Sequence, residues 1–270
     1  MLCSRTLGLN HEAAFEICHG MQQTGEHIGG FAVSRWHAWA PGMESAADWD
    51  AWLAGKAPNA AVSQADVSQL PALLRRRLDR LGRMALHTAW PCLAGLDAAQ
   101  FVFASRDGSL ARTLELLAAL AHDEPLSPTV FSVSVHNGTT GLCSIARKDR
   151  SAATAVAAGR DSLGMGLLEA ACQVSAGAEH VVMCYADQGL PPPYDTAPGR
   201  GVQHAAFSIS LLLEPAAPER ECCRLIPCAE RATENPEAAL LRFLVEHSAS
   251  AIIGAEQGWR LERSKRAGQA

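Results

Sequence analysis

The run Ala157-Ala158-Gly159-Arg160-Asp161-Ser162 has the arrangement of a reactive turn, with an apolar stretch ending at Val156 before it and a helix-forming stretch after it. A strand that feeds a helix through a tight elbow is where α/β enzymes often place a nucleophile. Three chemistries are open to such a turn. Gly159, Gly164 and Gly166 could hold a phosphate at the helix start. They follow neither GxGxxG nor GxxxxGK[ST], and the plainer role of Gly164 and Gly166 is to let another backbone come close. Ser162 could attack an ester or thioester, as in an acyltransferase or hydrolase. Gly159 lies three residues before it, where the G-x-S-x-G elbow needs two, so Ser162 reads better as a cap or brace for the helix. The third chemistry is a cysteine whose thiol is acidified at a helix N-terminus. The elbow has no cysteine: Cys143 lies upstream and Cys172 three turns into the following helix.

The elements that must position this elbow can be read along the chain. Residues 1 to 27 are polar and weakly patterned, and read as a poorly ordered or helical extension. The first strand is expected at Ile28 to Val33. Trp36, Trp39, Trp49 and Trp52 cluster around Pro41-Gly42, with Ser45 able to cap a short helix, and read as aromatic packing beneath a loop. One helix is expected over residues 70–90, with Leu74, Leu78, Leu81 and Ala85 on a single face. Arg75, Arg76, Arg77, Arg80 and Arg83 spread over the rest of that helix, as a solvated face or a contact for an acidic partner. Phe101 to Ser105 is a short buried strand, and Ser109 is expected to cap a helix with Leu110, Leu114 and Leu117 on one side. Ser127 to Ala170 reads as loop, helix, short buried strand, elbow and long helix. Gly177 ends the long helix and His180 to Tyr185 is the next strand. A proline-stiffened loop leads to a strongly apolar strand at Ala205 to Leu213. A last helix has Asn235 as cap and Pro236 at its first position. The basic tail, residues 258–270, is expected to be loose. Strands and helices mixed in this order, with connections long enough for parallel pairing, make the fold class α/β with one main domain.

Composition narrows the function. With 48% apolar and 19% charged residues the chain reads as a soluble globular protein, and its net charge of −5 argues against a general nucleic-acid binder. No apolar run is long enough to span a bilayer and the start lacks a signal-peptide pattern, so a reducing cytoplasm is expected. The nine cysteines are scattered with no CxxC pair, so neither a disulfide framework nor a zinc site is expected. His11, Cys18, His19 and His27 have no ligand pair spaced on one turn, and no cofactor is implied.

From about Gly30 to Pro215 the chain resembles the N-terminal half of β-ketoacyl-ACP synthases, which have a thiolase fold. The matching pieces are Arg77-Leu78-Asp79-Arg80-Leu81 before an alanine-rich helix, Phe131 through Ile145 with Asn137 and Gly141, and the helix Leu163 to Gly177 followed by a strand. More closely, SPTVFSVSVHNGTTGLCSIA and AAGRDSLGMGLLEA are similar to truncated ketosynthase-like proteins of aryl polyene and xanthomonadin-type pigment clusters, which are chain-length-factor-like subunits. The resemblance implies a truncated thiolase-like fold, a mixed sheet flanked by helices. Its division is an extension (1–27), a β-ketoacyl synthase-like N-terminal domain (28–215), a short strand and helix completion (216–257) and the basic tail (258–270).

The departures from the family decide the expected activity. Counting back from Gly177 by the family's spacing places Arg160 where the catalytic cysteine belongs, and aligning Gly159 on the family's elbow glycine places Val156 there. Neither can attack a thioester. Synthases also draw two histidines and a lysine from a C-terminal half. The 55 residues after Pro215 (216–270) are too few to build that half, and His247 and Lys265 sit in no matching motif. The resemblance therefore implies a vacated elbow at Val156, Gly159, Arg160, Asp161 and Ser162, in a non-catalytic subunit paired with a full-length synthase. It places Phe131, Val133, Val135, His136, Asn137, Thr139, Thr140 and Leu142 towards that partner and its acyl tunnel. The arginine cluster becomes a candidate contact for acyl carrier protein. An Arg160–Asp161 ion pair is expected to fill the emptied pocket, because a buried arginine needs a partner. Two other readings stay open: an enzyme using Ser162, and a plain interaction protein on a thiolase-like scaffold.

Overall fold

Strand β1 (Ile28–Trp39) begins where the sequence turns apolar and takes in Trp36 and Trp39, six residues past the expected end at Val33. In this computed structural model the described residues are 28–43, 46–54, 56, 64–192, 194, 206–217, 221–233 and 235–264. The extension 1–27 with its histidines, the Ser45 cap, Ala205 and Lys265 lie outside them. After β1 come α1 (Ala46–Leu53), α2 (Ala72–Arg75), α3 (Arg80–Leu93), β2 (Gln100–Ala104), α4 (Leu110–Ala121), α5 (Pro128–Ser134) and α6 (Gly138–Arg147). Then follow β3 (Ala153–Val156), a 3₁₀ turn (Gly159–Asp161), α7 (Ser162–Ser175), β4 (Val181–Asp187), β5 (Phe207–Pro215), β6 (Cys222–Cys228), α8 (Pro236–Val245), β7 (Ser250–Ile252) and β8 (Gly258–Ser264).

The strands form one mixed sheet in the order β3-β2-β4-β5-β1-β6-β8-β7. Strand β2 runs parallel to β3 and β4, and the other pairings are antiparallel. Every residue of β4 is buried, because successive side chains point to opposite faces and both faces are covered. Val181, Met183 and Tyr185 pack with Leu163, Leu167 and Ala170 of α7. Val182, Cys184 and Ala186 pack with Leu81, Ala85 and Ala89 of α3. Helix α7 lies close to the sheet because a Cβ on Gly166 would come within 2.6 Å of the Ala104 Cβ. Trp49 is buried edge-on against Phe207 at 6.2 Å and Trp52 at 6.1 Å, which is aromatic packing.

Four expectations need correction. The helix over 70–90 is two helices, because the Asp79 side chain caps a fresh start by accepting from the Gly82 N–H at 2.8 Å. Leu74, Leu78, Leu81 and Ala85 still share one core cluster across the break. Strand β3 is the sheet's edge and only half-buried, since β2 is its one neighbour. The tail is not loose over residues 258–264, which form β8 between β6 and β7. Trp259 and Leu261 are fully buried there, and that burial outweighs the charges of Arg260, Glu262 and Arg263. Ser109 stands at the start of α4 but its side chain makes no cap hydrogen bond, and none of the helix's residues is buried although it is apolar along one side.

Candidate functional site

Parallel strands β2, β3 and β4 end at a common rim, where α/β folds place their sites. The elbow is built on this rim. The Val156 carbonyl ends β3 and accepts from the Ser105 N–H at 3.1 Å and from His136 Nε2 at 2.9 Å. The chain then turns at Gly159, whose φ of +58° suits a residue without a Cβ. Ser162 is almost fully buried. Its hydroxyl donates to the Gly159 carbonyl at 2.8 Å and accepts from the Ala158 N–H at 3.0 Å. The Ser162 proton is thus committed to the turn, and the residue braces the elbow.

Arg160 is exposed and makes no ion pair with Asp161, so the expected bridge is not the one formed. Asp161 is buried, and its carboxylate accepts the N–H groups of Ala255, Glu256 and Gln257 at 2.7, 2.9 and 3.0 Å. Three converging N–H donors satisfy a buried carboxylate without any cation. They belong to the β7–β8 turn, so the C-terminal hairpin is tied to the first turn of α7. Gly164 continues the contact, since a Cβ there would lie 3.3 Å from the Ile253 carbonyl oxygen.

Among the described residues no thiol is placed to act at this elbow. Cys143 lies in the core and burial pushes its thiol up to about 12, so it stays neutral near pH 7. Cys172 is exposed, but on the third turn of α7. Among the described residues no cluster of three or more histidine, cysteine, aspartate or glutamate side chains could hold a metal ion, and no helix is long and apolar enough to cross a membrane.

The eight residues assigned to a partner face divide. Phe131 and Val135 are 60% and 46% exposed, and Asn137 is exposed as well. Val133 is half-buried against the core. Thr139, Thr140 and Leu142 are buried within this chain, and Leu142 joins the core cluster formed with α3. His136 turns inward, 5.5 Å from the Phe103 ring, and its hydrogen bond to Val156 ties the α5–α6 junction to the end of β3. Leu117, Leu120, Leu126 and Ile145 add 40 to 59% exposed apolar side chains to the same helical region. Of the arginines, Arg76, Arg77 and Arg80 are exposed, while Arg83 donates back to the Arg75 carbonyl at 3.1 Å and is partly sequestered.

A buried polar network on the same rim was missed from sequence. Asp187 accepts from Ser105 Oγ at 2.7 Å, from the Arg106 N–H at 2.9 Å and from the Tyr185 hydroxyl at 2.7 Å. The Tyr185 hydroxyl also lies 2.7 Å from Glu237 Oε1 on α8. One phenol proton cannot be donated to both carboxylates at once. Burial raises the Asp187 carboxyl above its ordinary value, against the pull of its donors, and burial with the two acids holds the Tyr185 phenol protonated. The available signal was a carboxylate closing an otherwise apolar strand, two residues after a tyrosine.

A mixed sheet clad by helices on both faces, with an elbow at its parallel strand ends, is a thiolase-like ketosynthase fold. Residues 49–260 match the family described as beta-ketoacyl synthase, N-terminal domain, and the chain belongs to that family. It is similar to a chain in the structure of the ketosynthase ApeO in complex with its chain length factor ApeC from Xenorhabdus doucetiae, with 28% identity and a TM-score of 0.75 over 87% of this chain and 100% of that one. The ishigamide ketosynthase/chain length factor matches at 19% identity and TM-score 0.56 over 80% and 73% of the two chains. A beta-ketoacyl synthase from Burkholderia phymatum STM815 matches at 12% and 0.59 over 82% and 71%. These last two bear on the fold alone. No curated protein matches the sequence.

Proposed function

We propose that this chain is a non-catalytic, chain-length-factor-like subunit. It pairs with an active β-ketoacyl-ACP synthase in type II aryl polyene pigment biosynthesis, a fatty acid- and polyketide-like route in the cytoplasm. The observation that carries this reading is the elbow itself. It keeps the strand, turn and helix of a nucleophile elbow but offers Arg160 to solvent, with Ser162 spent on the turn and Asp161 spent on the β7–β8 hairpin. Two facts give it weight: the match over the whole of a chain from a ketosynthase–chain length factor complex, and the exposed apolar side chains beside the elbow. The partner supplies the thiolate, and this subunit supplies Phe131, Val135 and Asn137 to the interface and the tunnel wall. Arg76, Arg77 and Arg80 then face an acidic acyl carrier protein, and charge reversal there weakens carrier binding while leaving the pair intact.

Co-expression with candidate synthases tests the pairing, which fails if this chain always purifies alone. A serine-reactive probe distinguishes the enzyme reading: labelling at Ser162 would favour an acyltransferase or hydrolase. Its buried hydroxyl, already donating to Gly159, argues for no labelling. A plain interaction protein would form the complex without changing the partner's product.

A further inference from the structure

Strand β7 ends the sheet opposite the elbow edge, and its pairing leaves specific backbone groups unused. It pairs with β8 in the register Ser250↔Glu262, Ala251↔Leu261 and Ile252↔Arg260. The Ile253 N–H bonds the Trp259 carbonyl and the Arg263 N–H bonds the Ala249 carbonyl, both at 2.9 Å. Antiparallel ladders alternate, so residues 249, 251 and 253 face β8, while the N–H and C=O groups of Ser250 and Ile252 point out of the sheet. Further along the same edge the chain already supplies a partner, because the Ala232 N–H donates to the Gly254 carbonyl at 2.8 Å. No hydrogen bond among the described residues engages the outward groups of Ser250 and Ile252. The strand is short, but no proline or charged residue blunts it.

These groups open onto a groove of about 450 Å³ between β7, α8 and the loop at residues 230–233. Pockets that enclose small ligands span roughly 300–1,000 Å³, so a short extended segment fits. Half-buried Ala251 and Ile252 with Phe243 give the groove an apolar floor. Its charged lining is Glu230, Arg231 and Arg242. Glu230 is drawn to Arg260 at 3.6 Å, and Arg242 pairs with Glu246 at 3.1 Å along the helix rim. Arg231 is exposed at the loop.

We propose that this groove binds an extended acidic segment of another polypeptide, which adds as a strand to β7 and sets a carboxylate against Arg231. Two outward residues on β7 support up to four backbone hydrogen bonds, and a strand laid between an edge strand and a helix is a recurrent mode of peptide capture. The proposal rests on the outward groups of β7 and on Arg231, and does not depend on pairing with a synthase.

The test is ¹H–¹⁵N correlation spectroscopy of the full chain titrated with acetyl-Thr-Val-Glu-Val-Glu-Thr-amide. The expected result is saturable shifts centred on the Ser250 and Ile252 amides, and loss of binding when alternate peptide nitrogens are methylated. Arg231→Glu should weaken the acidic peptide about tenfold without disturbing the rest of the spectrum, and should improve binding of the lysine-for-glutamate peptide. Absence of shifts at β7 overturns the proposal, as does equal binding of acidic and basic peptides to the unaltered chain. Shifts that follow protein concentration alone would mean that a second copy occupies the edge, which also overturns it.

Discussion

The N–H groups of Ala255, Glu256 and Gln257 converge on the Asp161 carboxylate, and this contact closes the elbow where an ion pair with Arg160 was expected. Asp161→Ala should cost about 2 kcal/mol in urea denaturation, since a charge-assisted set is lost but the turn is partly open to water. Arg160→Ala should stay within about 0.5 kcal/mol, as for other exposed positions. The reverse order would restore the ion-pair view. Adjacency suggested that pair, yet a backbone turn contributed from 94 residues away outcompetes a neighbouring cation, and no local pattern announces it. Tyr185, Asp187 and Glu237 are a second case, because their meeting needs β4 and α8 to be placed first. The Asp187 carboxyl is raised by burial, so folding favours its protonated form. That contribution is fully present below the ordinary value of 3.8 and is lost as pH rises from there through the raised folded value. Asp187→Asn removes the carboxyl that titrates, so this pH dependence should flatten. Urea midpoints measured across pH for the two proteins check it, and parallel curves would place the pH dependence on another group.

Helices α4 and α5 bury none of their own residues, an arrangement that leaves apolar side chains to be covered by something else. Phe131→Glu combined with Val135→Glu should leave the melting curve of the isolated chain near that of the parent. It should weaken association with the partner synthase at least tenfold in co-purification or calorimetry, as for central apolar residues of an interface. Unfolding of the isolated chain would instead mean that these side chains hold its own core. Gly166 tests packing at the same scale: with the Ala104 Cβ only 2.6 Å from an added Cβ, Gly166→Ala should cost about 1–3 kcal/mol by thermal melting. Much at this scale was legible. The 3.6-residue spacing of leucines found the face of α3, and Asn235-Pro236 marked the start of α8, where Asn235 caps the Glu237 N–H at 2.9 Å. What failed was periodicity without context, since the leucine stripe ran through the Asp79 cap; Thr139, Thr140 and Leu142, turned towards a partner by the family resemblance, are buried within this chain.

The sheet does not stop at the β1 edge but continues through β6, β8 and β7, and the last of these returns a turn to the elbow. The alternating run Gly258–Ser264 was hidden by its charges, since Trp259 and Leu261 face the core, Arg263 lies inward over the Phe243 ring, and Arg260 and Glu262 pair on the other face. The fold class was legible because strands and helices alternate. The order of eight strands was not, because the pairing of β1 with both β5 and β6 spans most of the sequence. On the proposed function, a molecule of this form, with its elbow closed by its own hairpin and an apolar helical face beside it, relies on a partner for chemistry. Intact-mass spectrometry of the co-expressed pair, after exposure to acyl-loaded carrier protein, tests this most directly. The expected result is a one-to-one complex in which the acyl mass appears on the synthase alone. An acyl adduct on this chain, at Ser162 or any cysteine, or a chain that never enters the complex, would contradict it.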